Sequence, residues 1–207
     1  MQNVLSIITD LGGVLISVDK APMFESLAKR SKLSKQEIAR QFSHTLLTSA
    51  DLDFGRGIIT PLDFYEGMCR KLSLSGMGFE EFSKAYCNVF SRKEEVIRFL
   101  RKLSSKYITA LLSNTDALHY EAWSRLLGKD MKLFKEAILS FQVHAAKPDR
   151  EIFLEAANKL KLEPGQCIYI DDVKEYSDAA AKVGMHGIHF VSLEQLKEEL
   201  AQLGITA

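Results

Sequence analysis

The chain has 207 residues, 46% hydrophobic and 26% charged, enough to bury a full core as one domain or as one domain with an insertion. Twenty-seven Lys and Arg balance 27 Asp and Glu, so no net field favours nucleic acid or an anionic membrane, and a small molecule is the expected partner. Oligomeric state is not legible at this level.

The first apolar run, "VLSIITD" (4–10), has the length of a buried strand and is too short to span a membrane. With no basic leader before it, a cytoplasmic location is expected. Cys69, Cys87 and Cys167 are widely separated, so they read as buried thiols rather than as metal ligands or a nucleophile. After "GGVLISVD", residues 17–90 show only helical periodicity, in "APMFESLAKRS", "SKQEIARQFSHTLL", "TPLDFYEGMCRKLS" and "GFEEFSKAYCNVF". Ser34 with Glu37 reads as a capping box, and Thr60 followed by Pro61 as an N-cap with proline at the first helical position. From residue 93 helices and strands alternate: helical patterns at 93–106, 117–128, 149–162 and 177–184, strand-length runs at 107–114, 137–140, 167–172 and 187–191. This order predicts an α/β fold with a doubly wound, Rossmann-like parallel sheet built from residues 1–16 and 91–207. The helical insertion 17–90 leaves and re-enters at the carboxyl end of strand one, which makes it a lid by position.

Four chemistry-bearing segments end strands: Asp10 before Leu11-Gly12-Gly13, "LLSNT" with Ser113 and Asn114, "AAKPD" with Lys147, and "YIDD" with Asp171 and Asp172. Each alone has a bland reading as a turn cap, local turn chemistry or a solvated lysine. The adjacent Asp171 and Asp172 resist that reading, because like charges beside a buried strand are costly without a cation. Together the four supply a carboxylate nucleophile, phosphate-binding groups, a fixed cation and oxygen ligands for Mg²⁺, the set that phosphoryl transfer needs.

In their order and spacing these segments resemble the four motifs of the haloacid dehalogenase (HAD) superfamily, over essentially the whole chain. Residues 17–90 resemble the small helical cap of its first subclass. The resemblance implies that Asp10 is nucleophile and metal ligand, and that Gly12 offers the metal its backbone carbonyl. It further implies that Ser113 and Asn114 bind phosphate, that Lys147 neutralises it, and that Asp172 is the main acidic ligand with Asp171 in support. The acidic pair and the lack of an aromatic residue two positions after Asp10 favour Mg²⁺-dependent phosphatase chemistry over carbon–halogen cleavage. A phosphotransferase or mutase, and a phosphate-binding protein without turnover, remain alternatives.

Two positions depart from the phosphatase pattern. Gly12 stands where a general acid/base Asp is usual, and Tyr176 stands where an Asp or Asn often follows the metal ligand. Asp-Leu-Gly with "SNTDALHYEAW" resembles the α-glucose-1-phosphatase-like branch, which implies a small phosphorylated metabolite, with a sugar phosphate as one candidate. An anomeric leaving group needs less acid assistance. His119 is either a surrogate acid or a helix-face residue packed near Trp123. Glu175 is either a carboxylate that supports the metal's ligands without touching the metal or a solvated helix-start residue. Arg56, in "DFGRG", either reads the substrate or pairs with Asp51 and Asp53.

Overall fold

The computed structural model describes residues 4–42 and 49–206. Strand β1 (Ser6–Thr9) is followed by β2 (Ile16–Val18) and helices α1 (Ala21–Ala28), α2 (Lys35–Gln41), α3 (Ser49–Gly55), α4 (Pro61–Lys71) and α5 (Phe79–Cys87). Next come β3 (Phe90–Arg92), α6 (Glu94–Leu103), β4 (Ile108–Ser113), α7 (Ala117–Leu127), β5 (Glu136–Leu139) and the single turn α8 (Ser140–Val143). The chain closes with α9 (Arg150–Leu160), β6 (Cys167–Asp171), α10 (Lys174–Lys182), β7 (His186–His189) and α11 (Leu193–Gln202).

Five strands form one parallel sheet in the order β5-β4-β1-β6-β7. Side chains alternate across it, so neighbours such as Ile7 and Ile8 feed different cores. Ile7, Leu111 and Ile168 pack with Ile97 and Leu100 of α6, Trp123 of α7 and Leu200 of α11. Ile8, Leu112 and Tyr169 pack with Phe153 and Ala157 of α9 and Ala180 of α10. Apolar layers on both faces explain why the strands read as near-continuous hydrophobic runs, and they make the sheet doubly wound. β1 lies between β4 and β6, so the strand order reverses beside it and a crevice opens past its carboxyl end.

Helices α1 to α5 gather a third core around Met23, Leu27, Phe54, Phe64, Met68 and Phe82. Both expected caps form: Ser34 and Glu37 exchange side-chain and backbone bonds, and so do Thr60 and Asp63, with Pro61 opening α4. The "SHTLL" end of the second helical pattern lies outside the described residues. The expectation of purely helical structure across 17–90 needs correction at its edges. Ile16–Val18 pairs antiparallel with Phe90–Arg92, forming a two-stranded ribbon where the helical segment leaves and rejoins the sheet domain. The thiols are less uniform than expected, with Cys167 buried and Cys69 and Cys87 half-buried. Burial pushes the Cys87 thiol up to about 12 and that of Cys167 to about 11. Among the described residues, no helix is long and apolar enough to cross a membrane.

Candidate active site

Asp10 follows β1 directly, and its backbone N–H is anchored to the Ile170 carbonyl of β6 at 2.8 Å. Ser113 ends β4 and Asp171 ends β6, so three neighbouring strands deliver these side chains to one edge of the sheet. Lys147 arrives from the loop between α8 and α9. Its Nζ lies 2.8 Å from Asp10 Oδ1 and 2.7 Å from Asp171 Oδ2, bridging two carboxylates with almost no solvent exposure. Burial alone would draw the Lys147 ammonium down, but Asp10 and Asp171 outweigh it and hold its pKa above the ordinary value.

The rest of Asp171 is also engaged: Oδ1 accepts from the Val173 N–H at 2.8 Å, and Oδ2 accepts a bond from the Tyr169 hydroxyl. Asp172 is more open, and its carboxylate packs against the chain at Gly13. That glycine has φ +74°, and a Cβ there would meet Asp172 Oδ2 at 1.9 Å. Gly13 is therefore required twice, for its left-handed backbone and for the close carboxylate. Oxygens of Asp10, Asp171 and Asp172 all lie within 4.8 Å of one another. Burial lifts the Asp10 carboxyl to about 6, with Lys147 opposing and Asp171 adding to the rise. Asp172 is raised too, first by burial and then by Asp171. Three carboxylates and one ammonium sum to −2, with Asp10, Asp171 and Lys147 buried and Asp172 at the open side. A divalent cation offsets that charge, and oxygen donors at this spacing suit a hard ion such as Mg²⁺.

The expected phosphate-binding pair divides. The Ser113 hydroxyl has no hydrogen-bond partner among the described residues and faces a cavity of about 230 Å³ bounded also by Asp10, Gly12 and Lys147. Asn114 borders the same cavity, but its Nδ2 donates to the Lys147 carbonyl (3.0 Å) and its Oδ1 accepts from the Lys147 N–H (2.8 Å). It clamps the loop that carries the lysine. Gly12 also borders the cavity, with room at its Cα: an added Cβ would sit 3.5 Å from Val18, an ordinary contact.

Three expected residues stand differently. Arg56 is outside the cavity lining, and its guanidinium pairs with Asp149 at 2.8 Å rather than with Asp51 or Asp53. Asp51 instead meets Lys71. Glu175 is exposed in the first turn of α10, also outside the lining. His119 does border the cavity, but its ring stacks on Tyr86 (4.2 Å between centroids) rather than packing against Trp123. Its Nδ1 meets Asp116 Oδ2 at 2.7 Å and its Nε2 faces the Tyr86 carbonyl at 3.3 Å, so both ring nitrogens are taken up within the protein.

Sequence reasoning overlooked two contributors and named a third, Tyr176, only as a departure from the phosphatase pattern. The Tyr169 hydroxyl holds Asp171, and the Lys93 ammonium binds the Gly13 carbonyl beside Asp172. Tyr176 covers the lysine, its ring centroid 4.9 Å from Lys147 Nζ. An inward tyrosine two residues before Asp171 was visible as strand alternation; the other two contacts depend on the folded chain.

Flavin mononucleotide hydrolase 1 of Arabidopsis thaliana is 34% identical over 92 residues, covering 42% of this chain. The match spans only 37% of that relative's length. A HAD family enzyme of Bacteroides thetaiotaomicron superposes with a TM-score of 0.83 at 25% identity, over 96% of this chain and 99% of its own. Structures of that enzyme include complexes with magnesium and with magnesium plus inorganic phosphate. The L-2-haloacid dehalogenase of Xanthobacter autotrophicus shares the fold at 15% identity, with a TM-score of 0.66 over 99% of this chain and 85% of its own. The family model for haloacid dehalogenase-like hydrolases matches residues 6–184, and the chain belongs to that family.

Proposed function

We propose that this hydrolase is a Mg²⁺-dependent phosphatase that releases inorganic phosphate from a small phosphorylated metabolite through an aspartyl-phosphate on Asp10. The observation that carries the reading is Lys147 held between Asp10 and Asp171 beside a third carboxylate, Asp172. A dianionic phosphate approaching a carboxylate nucleophile needs that positive charge and a cation held by the acids, whereas attack on a carbon–halogen bond brings no dianion that a metal-binding acid cluster must offset.

Asp10, Asp171, Asp172 and the Gly12 carbonyl are the groups that would hold the metal. Bound Mg²⁺ supplies charge neutralisation for the phosphoryl oxygens and a template for in-line attack. One carboxylate oxygen of Asp10 forms a bond to phosphorus as the ester oxygen departs with the bonding pair. Lys147 offsets the negative charge shared by Asp10 and the phosphoryl oxygens, and the Ser113 hydroxyl donates to one of those oxygens. The departed alkoxide takes a proton from solvent; water then attacks phosphorus and returns a proton to solvent, the Asp10–phosphorus bonding pair goes back to the Asp10 oxygen, and phosphate leaves. Tyr169, Val173 and Asn114 keep Asp171 and Lys147 in position throughout. Residues 17–90 act as the cap over this edge, and the ribbon of β2 and β3 contributes Ile16, Val18 and Phe90 to the cavity wall.

Gly12 leaves the usual position for a leaving-group acid without a side chain, and both His119 nitrogens are occupied. The enzyme therefore acts best on esters whose alcohol leaves readily, and a slow second step would let the phosphoenzyme pass its phosphoryl group to another acceptor. The test is phosphate release from a panel of phosphomonoesters, including flavin mononucleotide and p-nitrophenyl phosphate, with Mg²⁺ or with chelator. Release that needs Mg²⁺ and disappears in Asp10→Asn supports the reading. No Mg²⁺-dependent release from any ester refutes it.

A further inference from the structure

Beyond its phosphate-directed floor, the cavity is walled mostly by groups whose polar atoms are already spent. His119 gives Nδ1 to Asp116 and Nε2 to the Tyr86 carbonyl, so it offers the cavity only ring carbon. Its ring is fixed further by the stack on Tyr86 and by an edge-on contact with Phe90 at 5.1 Å. The Trp123 indole N–H is donated to the Thr115 hydroxyl at 3.2 Å, and both ends of the Asn114 amide are used on the Lys147 backbone. Ile16, Val18 and Phe90 complete the wall from the ribbon side. Thr115 and Tyr176 are the exceptions: the Thr115 hydroxyl accepts from Trp123 but donates to no group among the described residues, and the Tyr176 ring covers Lys147 while its hydroxyl has no hydrogen-bond partner among them.

Resting on the phosphatase reading, we infer that the substrate is a phosphomonoester of a small aromatic or branched apolar alcohol, and not of a polyhydroxylated sugar. The several hydroxyls of a sugar entering this space would give up water and find only the Thr115 and Tyr176 hydroxyls free beyond the floor, fewer partners than they need. A buried polar group without a partner is disfavoured by roughly tenfold or more in affinity. An apolar ring gains by the same transfer. The size agrees: about 230 Å³ falls below the roughly 300–1,000 Å³ of sites for drug-sized ligands and suits a phosphoryl group with one ring or a short branched chain. The inference turns the preference away from the sugar phosphate implied by the α-glucose-1-phosphatase-like resemblance.

The experiment measures binding of two non-hydrolysable probes to the full chain with Mg²⁺ by calorimetry: benzylphosphonate and a polyhydroxylated alkylphosphonate of similar size. Turnover of p-nitrophenyl phosphate is measured alongside. Benzylphosphonate should bind about tenfold or more tightly. Val18→Asn, at a cavity-lining residue that is 45% exposed, should weaken benzylphosphonate and leave the polyol probe equal or tighter. Equal or tighter binding of the polyol probe by the unmodified protein overturns the inference, as does Mg²⁺-dependent binding of neither. Preference for the aromatic probe without Mg²⁺-dependent phosphate release from p-nitrophenyl phosphate or any other ester of the panel would support the ligand class while overturning the phosphatase reading.

Discussion

Replacing Lys147 with Met keeps the side chain's length and removes the charge that bridges Asp10 and Asp171. The ammonium is 2% exposed and sits within 2.8 Å of both carboxylates, so the variant leaves two buried negative groups facing each other without a cation. Breaking a buried pair from one side typically costs about 3–5 kcal/mol. For a chain of this size that lowers the melting temperature by about 6–20 °C. The loss has a defined pH dependence. Burial already lifts the folded Asp10 carboxyl to about 6, above its unfolded value of 3.8, and Lys147 opposes that rise. Without the lysine the folded pKa climbs further, so the folded state binds its proton more tightly than the unfolded chain does. That preference stabilises the fold at low pH and is lost as pH rises through the raised value. The deficit of Lys147→Met, measured by thermal denaturation in chelator, is therefore largest near neutral pH and shrinks toward pH 5. Adding Asp171→Asn to the variant should recover part of the loss, because one of the unpaired charges is gone. A loss under about 1 kcal/mol that does not change with pH would refute the account of the lysine as a buried counter-charge.

Mg²⁺ competes with a proton for Asp10, so its affinity by calorimetry should fall about tenfold per pH unit below about 6 and stay flat above pH 7. Gly13→Ala forces a left-handed residue and a methyl group onto the Asp172 carboxylate. Mg²⁺ affinity should drop, with about 1–3 kcal/mol of stability lost to denaturant. Gly12→Asp places a carboxyl where an added Cβ makes only an ordinary contact; turnover of alkyl phosphates should rise by up to about 10²-fold while p-nitrophenyl phosphate changes little. Arg56→Ala removes an ion pair exposed by 44% and 43% at its two side chains, so stability should change by less than about 1 kcal/mol, with KM nearly unchanged.

The sheet was legible because strands buried on both faces carry unbroken apolar runs, and because three of the four chemistry-bearing segments end such a run; the expectation that Lys147 also ends a strand needs correction, since β5 stops at Leu139 and α8 intervenes. The helical caps at Ser34 and Thr60 were legible because capping is local chemistry within four residues. The ribbon of Ile16–Val18 and Phe90–Arg92 was not, since three-residue strands are too short to show alternation and their pairing spans more than 70 residues. Helix α10 begins at Lys174, three residues before its expected start, where "KEY" carries no apolar periodicity. At the site, sequence order brought Asp10, Lys147 and Asp171 together correctly. It could not show that Asn114 is spent on the Lys147 backbone, that Arg56 reaches Asp149 and not its neighbours, or that His119 stacks on Tyr86. Each of those outcomes is decided by a partner more than 30 residues away.

The central claim is that Asp10 carries the phosphoryl group. A rapid acid quench during turnover of p-nitrophenyl phosphate with Mg²⁺, followed by mass analysis of the peptide containing Asp10, tests it directly. With glycine at position 12 the second step lacks an aspartate base, so phosphoryl-Asp10 should accumulate and be absent in chelator. Phosphate release with no modification of Asp10, or release that survives Asp10→Asn, would contradict the account.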